Sequence, residues 1–272
     1  MTAQTLMSRS SKHSVRRIAA LARAESTLLL RDRLALLNGL IVPAAMVVAF
    51  KSSGVLDVIE GLQVGAIIVT NLAGFALTLS IYYNLVTAIV ARREGLVLKR
   101  LRTGECTDTE ILAGTAGPAI AVAWIQVSVA TVAAMLAFGM GLPRNGLLIA
   151  AALAMGTVTF VLLAVISTAF TRTVEMAQVT TLPVLFLPLA FSGLFFPLAA
   201  LPEALERIGQ VLPLTPVVDL LRLGLAGTTR SGRQVDLAGT FSESITPLLI
   251  LAAWIAAGVW ASRQWFRWEP RR

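Results

Sequence analysis

Six stretches of this chain contain no Asp, Glu, Lys or Arg: Leu34–Phe50, Gly61–Ala91, Ile111–Pro143, Asn145–Thr171, Met176–Pro202 and Ser244–Ser262. They run for 17, 31, 33, 27, 27 and 19 residues. A helix needs about 20 apolar residues to cross roughly 30 Å of hydrocarbon. Buried helices of soluble proteins rarely run so far without a charge. A membrane β-barrel would alternate polar and apolar residues with period two, and these stretches do not. The expected fold is therefore an all-α integral membrane protein with six transmembrane helices. Only 14% of the residues are charged and 56% are hydrophobic, whereas soluble domains carry about 25% charged residues. Leu34–Phe50 follows a long charged tail without a signal-peptide cleavage pattern, so it is read as a retained span.

Basic residues orient the spans, because cytoplasmic segments are enriched in Lys and Arg. With the N-terminus inside, the inner segments hold 17 basic residues and the outer ones 6, while the acidic residues divide 8 and 7. Both termini are thus expected in the cytoplasm. The net charge of +8 reads as a topology signal rather than a nucleic-acid footprint. The expected organisation is a cytoplasmic tail and interfacial helix (1–33), a six-helix transmembrane domain (34–262) and a basic cytoplasmic tail (263–272). Within the domain lie a cytoplasmic loop (92–110) and an extracellular excursion (203–243).

Val15–Arg33 sets Val15, Ile18, Leu21, Ala22, Leu28 and Leu29 against Arg16, Arg17, Arg23, Arg31 and Arg33. Such a helix lies in the inner interface, with its cations near anionic lipid, either as a simple anchor or as one that also touches a cytoplasmic partner. The lone His13 reads as a solvated side chain. The loop after span two carries Arg92, Arg93, Glu94, Gly95, Lys99 and Arg100, with Leu96, Leu98 and Leu101 between and beyond them. It serves either as inside-positive anchoring or as a docking element for a cytoplasmic subunit. Gly95 would permit a bend. Thr107-Asp108-Thr109-Glu110 has the form of a helix start. Cys106, the single cysteine, cannot form an internal disulfide.

Several features inside and beyond the spans bear on function. Gln126 in span three, with Asn71 and Asn84 in span two, serves helix packing or lines a polar path. Span five is punctuated by Pro183, Pro188 and Pro197 and enriched in Phe186, Phe191, Phe195 and Phe196, with Gly193 among them. It reads as helix packing or as a re-entrant outer gate. The excursion holds two short helices, Leu205–Pro213 and Val217–Leu225, separated by a segment containing Pro213 and Pro216. They are too brief to span and are expected to be re-entrant or interfacial. Asp219 and Arg222, three residues apart, are able to approach each other. Gly227–Gly239 is expected to be flexible and exposed. The tail Trp260, Arg263, Trp265, Phe266, Arg267 and Trp268 has the pattern of an interfacial anchor.

No phosphate-binding Gly-x4-Gly-Lys-Ser/Thr loop, metal-ligand cluster or Gly-x-Ser-x-Gly elbow is present. No catalytic, cofactor or metal site is expected on this chain. If it drives transport, the energy is expected from another protein.

The loop Arg93-Glu94-Gly95-Leu96-Val97-Leu98-Lys99-Arg100-Leu101-Arg102, followed by Asp108-Thr109-Glu110-Ile111, carries a resemblance. So do the basic N-terminal helix and Phe191-Ser192-Gly193-Leu194-Phe195-Phe196-Pro197. Leu201-Pro202, Leu212-Pro213-Leu214-Thr215-Pro216 and Arg222 complete it. Over almost its whole length the chain resembles the membrane subunit of type-2 ABC exporters, nearest the daunorubicin-exporter kind of actinobacteria. Many relatives carry Thr at the position of Leu96.

That resemblance implies a permease in the bacterial plasma membrane, paired with a second permease subunit, usually identical. Two cytoplasmic ATPase subunits would bind ATP and Mg. Arg93 and Glu94 would sit on the coupling element, and Phe191–Pro197 with Leu212–Pro216 would shape the outer region. The implied cargo is an amphipathic or lipophilic small molecule, and the other partners are membrane lipids. Lipid or glycan export, an ion-gradient-driven transporter and a non-transporting scaffold or immunity protein are the alternatives.

Overall fold

The computed structural model describes residues 61–96, 107–194 and 198–266. The amphipathic segment Val15–Arg33, the first expected span Leu34–Phe50, Lys99, Arg100, Cys106, Phe195, Phe196, Pro197 and the tail beyond Phe266 lie outside the described residues. Apart from one antiparallel bridge between Thr228 and Gln234, the described regular elements are helices.

The described chain starts with α1 (Gly61–Phe75), a π-helical segment (Ala76–Tyr83) and α2 (Asn84–Glu94) in one continuous rod. Long α3 (Asp108–Phe138) and α4 (Gly146–Thr168) follow, then α5 (Val174–Thr180) and α6 (Leu182–Phe191). A 3₁₀ turn (Leu198–Ala200), α7 (Glu203–Val211), α8 (Thr215–Ala226) and α9 (Leu237–Trp265) complete the described chain. Among the described residues, five helical stretches are long and apolar enough to cross a membrane: Val64–Glu94, Glu110–Phe138, Gly146–Thr168, Val174–Phe191 and Leu237–Trp265. They coincide with the second to sixth charge-free stretches.

Local chemistry sets the helix starts. At α3, the Thr107 hydroxyl accepts from Glu110 N, while the Glu110 carboxylate accepts from Thr107 N at 2.8 Å. This reciprocal box satisfies two amides that a helix start leaves without partners. Asn145 caps α4, Thr173 caps α5 and Asp236 caps α9. The Asp236 cap starts α9 about two turns before Ser244, where the charge pattern puts the span. Glu243 thus lies on the helix and pairs with Arg233.

Span five breaks at Thr181, between α5 and α6, one residue before Leu182-Pro183. Proline lacks the amide that would continue the ladder. The Thr181 hydroxyl donates to Ala177 O at 2.6 Å, alongside the Thr181 N–H at 3.2 Å.

The bundle is organised around α8. Helices α7 and α8 are joined by a sharp bend of 77°. Every α8 residue except Arg222 is buried, and α4, α9 and α1 pack around it. Val217 lies against Gly156, and Gly224 lies against Ile149 and the Asn145 carbonyl. Helix α8 therefore runs antiparallel to α4, with its C-terminus at the Asn145 end. Twelve residues make it about 18 Å long, roughly half of a 30 Å hydrocarbon core. The sequence leaves re-entrant and interfacial readings open, and the structure buries α8 within the bundle. By contrast, α7 exposes Leu205, Arg207, Ile208 and Val211.

Lipid tails are as apolar as leucine, so burial alone drives little association between spans, and close packing takes its place. Gly156 provides this closeness. A Cβ there would stand 3.0 Å from a Val217 methyl and 3.1 Å from a Leu77 methyl.

Candidate functional site

Three groups of predicted residues find distinct places. The first lies at the end of the bundle where α2 finishes. Arg93 is 1% exposed. Its Nη1 donates to Thr168 O at 2.8 Å, and its Nη2 donates to Thr171 O. These carbonyls lie at and just beyond the C-terminus of α4, where a cation is favoured by the helix dipole. Arg92 donates to the Thr115 hydroxyl on α3. Spans two, three and four are thus tied by two consecutive arginines.

Glu94, Gly95 and Leu96 are exposed beside them. Gly95 has φ −72°, open to any residue, whereas Leu96 takes φ +57°. The expected glycine bend is therefore a left-handed leucine turn, in which Leu96 N–H returns to Arg93 O at 3.2 Å.

The second group surrounds the bent helix pair α7–α8 at the opposite end. Pro213 and Pro216 are buried, with Pro216 opening α8, where a missing amide costs nothing. Gly209 of α7 passes so close to Phe191 that a Cβ would stand 2.7 Å from the Phe191 carbonyl oxygen. Trp254 Nε1 donates to Val211 O at 2.8 Å and fixes the end of α7 to α9. Gly193 adopts φ +79°, and its carbonyl accepts from Arg222 Nη2. Phe191, Gly193, Pro213, Pro216 and Arg222 therefore belong to one neighbourhood.

The expected approach of Asp219 to Arg222 is not a hydrogen-bonded pair. Asp219 is 6% exposed and receives Arg230 through Nε at 3.1 Å and through Nη2. Sequence reading missed Arg230 because it lies 11 residues away, in a segment that reads as flexible. That segment is a tight turn. Thr229 N–H reaches Arg233 O at 2.9 Å, and Val235 N–H reaches Gly227 O at 2.8 Å. The signal available was Gly227 itself, at φ +66°, a left-handed helix cap.

The third group lies between the two ends. Ser80, on the π segment, donates to Gln126 Oε1 at 2.8 Å. Exposed Asn84 donates to Ser80 O at 3.3 Å. Asn71 stands apart from them, its Oδ1 buried without a hydrogen bond. The π turn is marked by Asn84 N–H reaching Leu79 O, five residues back. Such wide turns within helices occur frequently at functional sites. On the neighbouring face, Trp124 Nε1 donates to the Thr157 hydroxyl at 3.1 Å. Spans two, three and four thus carry hydrogen-bonding groups within apolar helices, some of them still exposed.

Among the described residues no cluster of His, Cys, Asp or Glu could hold a metal. No curated protein matches the chain. A family model described as ABC-2 family transporter protein matches residues 46–263, covering four of the described spans, the α7–α8 pair and all but the end of the last span. The chain is therefore an integral membrane protein that belongs to the ABC-2 transporter family, a transport subunit of the permease type.

Proposed function

We propose that this permease forms the translocation path of an ATP-driven exporter of the daunorubicin- and multidrug-resistance kind. In this reading it pairs with a second copy, and two cytoplasmic ATPase subunits supply ATP and Mg. The end bearing Arg93 faces the cytoplasm, and the re-entrant hairpin faces outside. The cargo is an amphipathic or lipophilic small molecule.

The observation that carries this reading is the division of labour around Arg93. Arg92 and Arg93 reach into the bundle, while Glu94, Gly95 and Leu96 stand exposed next to them. A push on the exposed turn passes directly to the ends of spans three and four. Arg93, being buried, transmits rather than docks, and Glu94 and Gly95 are left for the partner, with Lys99 and Arg100 following in sequence. The mixed surface of Ser80, Asn84, Gln126 and Trp124 suits a molecule with a few hydrogen-bonding groups on an apolar body. The hairpin, with Phe191 and Gly193 beside it, closes the far end.

The test is reconstitution with a P-loop ATPase in lipid vesicles. We expect ATP hydrolysis to be coupled to efflux of an amphipathic dye, and Glu94→Lys to uncouple the two. Docking and transport preserved in Glu94→Lys would reject the coupling assignment. Efflux driven by an ion gradient without ATP would reject the mechanism. Movement of a labelled lipid or glycan but no dye would reject the cargo class.

A further inference from the structure

The re-entrant hairpin holds a charge that the fold leaves unbalanced. At its end of the bundle, Arg207 pairs with Glu203, Arg230 with Asp219 and Arg233 with Glu243. Arg222 is half-buried and pairs with no carboxylate among the described residues. The carboxylate closest to it in sequence, Asp219, lies one turn away on α8 and is taken by the Nε and Nη2 of Arg230. One buried carboxylate thus stands beside two guanidinium groups.

Gly193 O takes one donor of Arg222 Nη2. A guanidinium has five N–H donors in a rigid fork, and no other acceptor meets this one among the described residues. Its unused nitrogens are not among the fully enclosed polar atoms that lack a partner, in keeping with a side chain that is only half-buried. A partly desolvated cation that must share its one nearby carboxylate with a second guanidinium is incompletely compensated. Its fork geometry matches phosphate and carboxylate oxygens better than any other group.

Depth fits the same chemistry. Two residues beyond Arg222, Gly224 O accepts from Asn145 N at 2.8 Å, at the very start of α4. Arg222 therefore sits about one turn inside the end of the spans, where phosphate headgroups begin.

We propose that Arg222, held by Gly193 and set beside the Asp219–Arg230 pair, is a binding site for an anionic oxygen group, a phosphate or carboxylate. The group comes from an anionic phospholipid or from a soluble anion. The site does not depend on the export reading, because binding is measured without ATP or cargo.

The experiment uses the full chain in nanodiscs and two probes. Native mass spectrometry compares retention of phosphatidylglycerol with that of phosphatidylcholine. Thermal unfolding in phosphatidylcholine discs is followed as inorganic phosphate is added. Wild type is expected to prefer phosphatidylglycerol about tenfold, with the preference lost in Arg222→Gln, as for loss of a charge-assisted fork. Stabilisation by phosphate alone, again lost in Arg222→Gln, supports the site and assigns it to a soluble anion.

Arg144→Gln is the control, since exposed Arg144 also pairs with no carboxylate among the described residues. An equal loss in that variant makes the effect one of general charge and overturns the site. Neither probe bound by wild type, or binding unchanged in Arg222→Gln, overturns it as well. Should Arg222→Gln fail to fold, Arg222→Lys keeps the charge without the fork. Binding is then expected to weaken severalfold, and undiminished binding defeats the proposal.

Discussion

Arg222 on α8 donates to the carbonyl oxygen of Gly193, 29 residues earlier, beyond the end of span five. One hydrogen bond thereby joins the α7–α8 pair to the segment after span five. Gly193 can offer its carbonyl there because its φ of +79° turns the chain in a way that L residues resist. Gly193→Ala is expected to destabilise the protein by about 1–2 kcal/mol through backbone strain alone. Thermal unfolding in lipid checks it, and an unchanged midpoint contradicts the strained turn.

Arg93→Gln removes the charge that holds two carbonyls at the end of α4. Hydrogen bonds to charged groups contribute about 1.5–3 kcal/mol each. The loss is expected to fall in that range for the pair, since glutamine can retain one of them. Glu94→Gln, an exposed change, should leave the unfolding midpoint within about 0.5 kcal/mol of wild type. Comparing the two melting curves separates the buried tie from the exposed surface.

Gly224 lets α8 touch the start of α4. A Cβ there would stand 3.0 Å from the Asn145 carbonyl and 2.6 Å from an Ile149 side-chain carbon. Gly224→Ala is expected to push the two elements apart and cost about 1–3 kcal/mol, as overpacking does. Gly141→Ala, with nothing within 4 Å of its new Cβ, should be nearly neutral. Equal melting points for the two variants would contradict this packing.

The Ser80–Gln126 bond lies between two spans and is only partly buried. Hydrogen bonds between membrane helices average about 0.6 kcal/mol. Gln126→Leu should therefore barely change stability. If the polar face lines the path, it changes the order in which dyes of differing hydrogen-bonding capacity are exported. An unchanged order assigns Gln126 to packing alone.

The end of α3 nearest Arg93 was legible in full. Thr107 and Glu110 stand at the spacing a capping box needs, and local spacing is all such a box requires. The second to sixth spans were equally legible, because exclusion of charge from lipid acts on each segment separately. The ion pair on α8 was not. From sequence, Asp219 and Arg222 are neighbours on one helix face, and Arg230 lies in an apparently loose loop. Only the fold of the 227–235 turn carries Arg230 back to Asp219. Leu96 was illegible for a similar reason. Nothing in a leucine announces a left-handed backbone, and Gly95 beside it drew the expectation to itself.

The sequence alone therefore determined the solvent: apolar stretches of membrane length make this a multi-span helical protein, and proline and glycine mark where its helices break. Only the tertiary structure decided that α8 lies buried among the spans, that Arg93 faces inward, and that Arg222 holds Gly193 rather than Asp219. The physical reason is one of range. Insertion, capping and helix breaking depend on residues within a few turns of one another. Burial of a short helix and the choice of partner for a charge depend on elements that the chain brings together only when it folds.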